Sequence, residues 1–249
     1  MLRLRSSARL GLIVVGLALL LTAGCAPVAS ADSAVQRVTF RHSLRAGQPV
    51  VITVDGKLGA DIQAIGVTGA AGVEISEHAD GGDAQDVQTR DWVATDGLHF
   101  SFELVQKAAS VWHWGHSHDT VVHVIARLPR DSALTIGAVN GPIAIDHIIA
   151  PLTVHLVNGP ISVSAAGSVL SLQTVNGPIH ASIVDTSRTP SVSLSVTNGE
   201  ISATVPRGFK AAIEAHSVLG TVDDRLPHRD GPGRLEANVV TGSITLEER

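Results

Sequence analysis

The 249-residue sequence has no tyrosine, one methionine, one cysteine and three lysines (Lys57, Lys107 and Lys210), and only 3 % of it is aromatic. Each shortage excludes something. One cysteine rules out an internal disulfide framework and a thiolate zinc site. So few aromatics leave the core to Val, Ile, Leu and Ala, which suit β-strands and thin, regular layers. A formal charge of −5 argues against a nucleic-acid partner, whose phosphates need a basic face. No amphipathic helical period appears after residue 25. What is present in quantity is apolar: 44 % of the residues are hydrophobic, ample for a core, which excludes disorder throughout.

The N-terminus reads as an address. Arg3, Arg5 and Arg9 form a positive region, and Gly11 to Leu21 is an apolar run. The run is too short to span a bilayer core of ~30 Å but has the length of a signal-peptide core. It ends in Leu21-Thr22-Ala23-Gly24-Cys25, small residues directly before the chain's single thiol. This resembles the bacterial lipobox. The resemblance implies cleavage before Cys25, a diacylglyceryl thioether on its sulfur and acylation, as by palmitate, of the new amine. The expected division is a lipoprotein signal peptide at 1–24, the acylated Cys25 with a short tether at 25–36, and a folded domain at 37–249. Acyl chains contribute ~0.8 kcal/mol per buried CH₂, so several together give a stable membrane anchor. Loss of residues 1–24 leaves 15 basic against 23 acidic residues, a net of −8. Such a domain does not spread on an anionic lipid surface by itself, so the membrane is met through the anchor. The expected location is the bacterial cell envelope, on the extracytoplasmic side.

From residue 134 one phrase recurs: Leu134-Thr-Ile-Gly-Ala-Val-Asn-Gly141-Pro-Ile143, then Leu152 to Gly159-Pro-Ile161, then Leu170 to Gly177-Pro-Ile179. Weaker copies run through Gly199, Gly220 and Gly242, so the key glycines are 18, 18, 22, 21 and 22 residues apart. Apolar residues stand seven and five places before each glycine, as in Leu152/Val154, and mostly two and four places after it, as in Ile161/Val163. Those between are mostly polar or small. That is the period-2 alternation of a strand with one face in and one out. Asn-Gly would ordinarily suggest a two-residue hairpin, hence a meander or barrel. Three features favour a solenoid instead. Near-identical repeats want equivalent neighbours. Pro142, Pro160 and Pro178 stand where a tight hairpin needs its first ladder N–H. Asn140, Asn158, Asn176 and Asn198 hold one position in consecutive copies, where coils stacked ~4.8 Å apart would join their amides in a ladder. The expected fold is all-β, a single-stranded parallel β-helix with 18–22-residue coils. The six-residue pattern of left-handed β-helices is missing, which points to the right hand. Stacking in chain order sets Leu219 after Asn198 and puts His155 and His216 three coils apart. Asp223 to Arg234 reads as a loop leaving the fifth copy.

Residues 37–130 carry β-signals with a looser period, at Val38–Phe40, Val50–Val54, Ile62–Ile65, Val73–Ile75, Leu98–Phe102 and Val121–Leu128. Taken with Val54-Asp55-Gly56, Val124-Ile-Ala-Arg-Leu-Pro129 and the Asn-Gly-Pro-Ile ladder, the chain over 37–249 resembles the bacterial putative-adhesin family of β-strand repeats, a domain of unknown function. The resemblance implies an envelope β-helix and brings no reaction, cofactor or site residue.

Chemistry-bearing clusters are few. Val111 to Thr120 packs His113, His116 and His118 with Trp112 and Trp114. Three imidazoles could hold Zn²⁺ or Cu²⁺ with Asp119 as orienter; a surface loop with its Trp rings laid on the coil below is the plainer reading, and no metal or other cofactor is assigned. The acidic stretch Glu74 to Asp96 lacks a Ca²⁺-loop pattern and reads as a solvated loop. A polysaccharide-degrading β-helix needs clustered carboxylates, whereas the outward positions carry Thr, Ser, His and Gln with Asp146 isolated. No serine sits in a nucleophile elbow. The sequence therefore points to a non-catalytic envelope lipoprotein whose β-helix is a binding or structural surface, with an envelope protein or glycan as partner. A metal-binding module using the 113–118 loop is the alternative.

Overall fold

The computed structural model describes residues 37–249 except 46, 82–83, 106–119, 168, 185–189 and 228–230. Cys25, the tether and His113, His116 and His118 lie outside the described residues. In chain order the strands are β1 (Val38–Ser43), β2 (Val50–Val54), β3 (Gly59–Val67), β4 (Gly72–Asp80), β5 (Val87–Ala94), β6 (Gly97–Leu104) and β7 (Val121–Pro129). The repeats then supply β8 (Leu134–Asn140) and β9 (Ile143–Asp146), β10 (Leu152–Asn158) and β11 (Ile161–Ala166), β12 (Val169–Asn176) and β13 (Ile179–Ile183), and β14 (Ser191–Asn198) and β15 (Ile201–Val205). The weaker copies give β16 (Ala211–Leu219) with β17 (Val222–Asp224), and β18 (Gly233–Thr241) with β19 (Ile244–Glu248). The one helical element among the described residues is a 3₁₀ turn, Ala84–Asp86.

Each Asn-Gly turn carries the chain from one parallel ladder to another, not back along the same one. β8, β10, β12 and β14 form the first ladder, and β9, β11, β13 and β15 the second. The fold is thus a parallel β-helix. Register aligns Leu134, Leu152, Leu170 and Val192 in one inward column and Ile143, Ile161, Ile179 and Ile201 in another, all buried. At ~25 cal/mol per Å² of apolar surface removed from water, these aliphatic columns are the main source of stability. The turn glycines form a column of their own. Gly159 has φ +141°, and a Cβ there would stand 2.2 Å from the carbonyl oxygen of Gly141. Conformation and close stacking therefore both demand glycine.

Coil order departs from chain order at both ends. β14 pairs with β18, and β18 in turn with β16; β15, β19 and β17 follow suit. The C-terminal coil thus fills a space between 191–205 and 211–224. Likewise β2 lies between β6 and β8, and β3 between β7 and β9. Stacking in chain order is therefore incorrect here. Asn198 meets Thr241 rather than Leu219, and His155 and His216 are four coil steps apart rather than three. The inward columns accept any coil of matching register, so the repeat pattern alone does not set the order.

Two expected loops are partly strand. Glu74 to Asp96 belongs largely to β4 and β5, and the second of these runs antiparallel to β6. Its acids are compatible with a strand because Glu74 and Asp80 take the outward face while Val73 and Ile75 are buried. β17 extends through Asp224 and pairs with β19, so the loop begins at Arg225. The N-terminal end is closed by antiparallel pairing, β1 on β4 and β4 on β7. Three of the four phenylalanines sit there: Phe100 and Phe102 are buried on β6, and Phe40 meets Phe100 edge-on at 6.3 Å. The fourth, Phe209, is buried on the link into β16, the strand at the other end.

Candidate binding trough and histidine–aspartate cluster

Outward residues of the second ladder alternate with the buried ones, so register lays them in rows across the coils. One row reads Gln63, Ala144, Ser162, His180 and Ser202. Another carries Ile65, Asp146 and Ser164, with Ser182 and Thr204 beyond. Together they line an open trough of about 490 Å³. Its walls mix hydroxyls with apolar side chains, Ile65, Ala144 and Val163 among them. Asp146, expected to stand isolated, lies in this trough with Oδ2 2.8 Å from His147 Nδ1; its Oδ1 is buried without a protein partner. His180 also lies in the trough, 4.0 Å from Glu200. On the first ladder His155 meets Gln173 at 3.2 Å, and His216 is exposed.

The asparagine ladder forms at the turn. Asn158 donates to Asn140 Oδ1 at 2.9 Å, Asn176 to Asn158 at 2.8 Å and Asn198 to Asn176 at 2.9 Å. Asn140 donates onward to the Gly56 carbonyl at 3.4 Å. One amide carries both a donor and an acceptor, so a column of identical residues satisfies itself.

At the N-terminal end the outward face changes character. The antiparallel register of β4 and β7 sets His78 opposite His123, and the parallel register of β3 and β7 sets Asp61 opposite His123 from the other side. The imidazoles stack at 4.5 Å with an interplanar angle of 10°. His123 Nδ1 lies 3.0 Å from Asp61 Oδ2, and its Nε2 lies 3.4 Å from Asp80 Oδ2. His78 Nε2 is 3.8 Å from the same oxygen. Nearby, Arg41 bonds Glu74 at 3.0 Å and holds its carboxyl below the usual range. The end of the core is closed by polar contacts, His42 to Asp91 at 2.8 Å and Thr89 donating to Glu77. Burial pushes the Glu77 carboxyl above its ordinary pKa, against the hydrogen bond from Thr89.

The repeat offsets show Asp146 and His180 on outward positions. No local pattern shows the His78–His123 cluster, whose partners are far apart in the chain and meet only through a register between unlike strands.

No family model and no curated protein matches the chain. Solved structures similar to it include a putative cell adhesion protein from Clostridium sporogenes, 11 % identical over 86 % of this chain and 100 % of that one, with a TM-score of 0.48. Putative adhesins from Parabacteroides merdae and Parabacteroides distasonis align at 14 % and 13 % identity, each with a TM-score of 0.26. They cover 86 % and 87 % of this chain, and 96 % and 98 % of their own. The β-helix assignment rests on the strand register above, and these likenesses carry no argument about function.

Proposed function

We propose that the protein is a bacterial envelope lipoprotein, held at the membrane by acylated Cys25, whose β-helix is a non-catalytic surface that binds an envelope protein or glycan along the trough. The observation that supports this most is the pair of rows crossing β3, β9, β11, β13 and β15, with Ser162, Ser164, Ser182, Ser202 and Thr204 offering hydroxyls along the solenoid axis. Hydroxyls both donate and accept, so they suit a polar chain of repeating chemistry laid across coils ~4.8 Å apart. Asp146 is the one carboxylate among the described residues lining the trough, whereas glycoside hydrolysis calls for two.

The test is photo-crosslinking in the cells that make the full chain. A photoreactive residue at Ser182 should give discrete adducts, while one at Ser193, on the exposed face of the other ladder, should give none. Equal labelling at both positions, or none at Ser182, would sink the trough reading. The anchor is tested separately. Cys25→Ser should block both lipidation and cleavage before residue 25, and a processed, membrane-bound Cys25→Ser product would contradict it.

A further inference from the structure

The histidine–aspartate cluster brings two imidazole nitrogens to one carboxylate oxygen. Asp61 faces His123 Nδ1 at hydrogen-bond distance. A carboxylate only accepts, so Nδ1 carries the hydrogen and donates it. In the neutral ring Nε2 then keeps its lone pair. That nitrogen lies 3.4 Å from another carboxylate oxygen, Asp80 Oδ2. His78 Nε2 approaches the same oxygen at 3.8 Å. Three atoms able to ligate a metal thus lie within 4.8 Å of one another.

A cation between the three atoms would engage all of them at once. Around tetrahedral Zn²⁺, with bonds of ~2.0–2.2 Å, neighbouring ligand atoms stand ~3.3–3.6 Å apart. The observed 3.4 and 3.8 Å lie close to that spacing, and because an imidazole ligates in its own plane, one of the two stacked rings turns to aim its Nε2 at the ion.

We propose that His78 Nε2, His123 Nε2 and an Asp80 carboxylate oxygen are the three protein ligands of a Zn²⁺ site, with water in the fourth position. Asp61 is the positioning residue. Its bond to Nδ1–H fixes the tautomer and aim of His123, as outer carboxylates do for zinc-bound histidines. The side chains of His78, His123 and Asp80 are 23, 30 and 51 % exposed, so the ion enters from solvent. Bound there, it links β4 to β7 across the antiparallel pair that helps close the end of the solenoid. The site needs neither the anchor nor the trough, and it uses none of His113, His116 and His118.

The test uses the full chain, purified in detergent and stripped with a chelator, and titrated with Zn²⁺ by calorimetry. The expected result is one Zn²⁺ per chain. Co²⁺ at the same site should give the visible absorption of a tetrahedral nitrogen–oxygen complex. His78→Ala and His123→Ala should each abolish saturable binding with the β-sheet circular dichroism intact. Asp61→Asn should weaken binding about 10–100-fold. A variant with His113, His116 and His118 all changed to Ala should bind as the parent does. No stoichiometric Zn²⁺ in the parent chain would overturn the proposal. So would binding that survives the two single-histidine changes, or binding lost in the loop variant.

Discussion

Residues 134–205 repeat one coil and present small side chains, hydroxyls and a ladder of asparagines. Residues 38–129 form the adjoining end from strands unlike one another, and their outward face carries Arg41 with Glu74 and His123 with Asp61 and Asp80. The difference follows from stacking. In a repeated coil an outward residue lies beside the equivalent position of the next coil, and where the copies are identical a charge would stand beside a like charge and be repelled. A column of copies therefore suits neutral or self-complementary groups. Opposite charges are placed side by side across a ladder more readily where strands of different sequence are neighbours. The far end supports the rule by its exception. Glu236 and Glu214 are register neighbours on β18 and β16, and Arg234 stands between them at 3.2 and 2.8 Å. Repetition thus favours a broad uniform surface, and its interruption permits a compact site.

The sharpest way to break this picture is through the middle. Gly159→Ala places a methyl 2.2 Å from the Gly141 carbonyl oxygen in a left-handed conformation. It should cost about 3 kcal/mol or more. Gly137 on β8 has nothing within 4 Å of its Cβ position, so Gly137→Ala should stabilise by about 0.4–1 kcal/mol. Urea melts of the two variants give the comparison, and similar losses would mean the turn column is not stacked.

The asparagine ladder gives a smaller effect. Asn158 both donates to Asn140 and accepts from Asn176, whereas Asn198 donates to Asn176 and has Thr241 as its next register neighbour. At ~0.5–1.5 kcal/mol net per bond, Asn158→Leu should cost about twice what Asn198→Leu does. Equal losses would count against a self-satisfying column.

The smallest effect belongs to the N-terminal end. Burial raises the Glu77 pKa, so the folded chain keeps that proton to a higher pH than the unfolded chain, whose carboxyl titrates near 4.5. Stability from this group is therefore greatest below that value and falls as pH rises through the folded pKa. Glu77→Gln keeps an acceptor for Thr89 and removes the titration. It should be modestly more stable than the parent at neutral pH, with the gain shrinking in acid. Thermal melts across that range check it, and a gain independent of pH would show that burial of the charge is not the cause.

Much of the middle was legible because repetition makes offsets visible. Leu152, Val154, Ile161 and Val163 reveal the inward face, and Pro160 after Gly159 argues against a hairpin. The N-terminal end was harder to read because its alternation is broken by polar inward residues. Glu77 points inward on β4, so the alternation that marks Val73 to Ile75 as strand breaks there and the stretch through Asp80 reads as part of an acidic loop. The register that sets His78 opposite His123 depends on β4 running antiparallel to β7, and no local pattern encodes it. Coil order was hidden for a different reason. Coils 211–224 and 233–248 carry the same offsets, so either could follow 191–205. That order matters at the other end too, where β3 beside β7 places Asp61 against His123.

The most direct test of the account is therefore a test of coil order, made with cysteine pairs in a Cys25→Ser background. Register neighbours in adjacent coils lie ~4.8 Å apart, within reach of a disulfide, while residues two coils apart are ~10 Å away and beyond it. Asn198→Cys with Thr241→Cys should oxidise readily to an intramolecular disulfide, and Asn198→Cys with Leu219→Cys should not. A disulfide between 198 and 219, with none between 198 and 241, would mean that the coils stack in chain order after all.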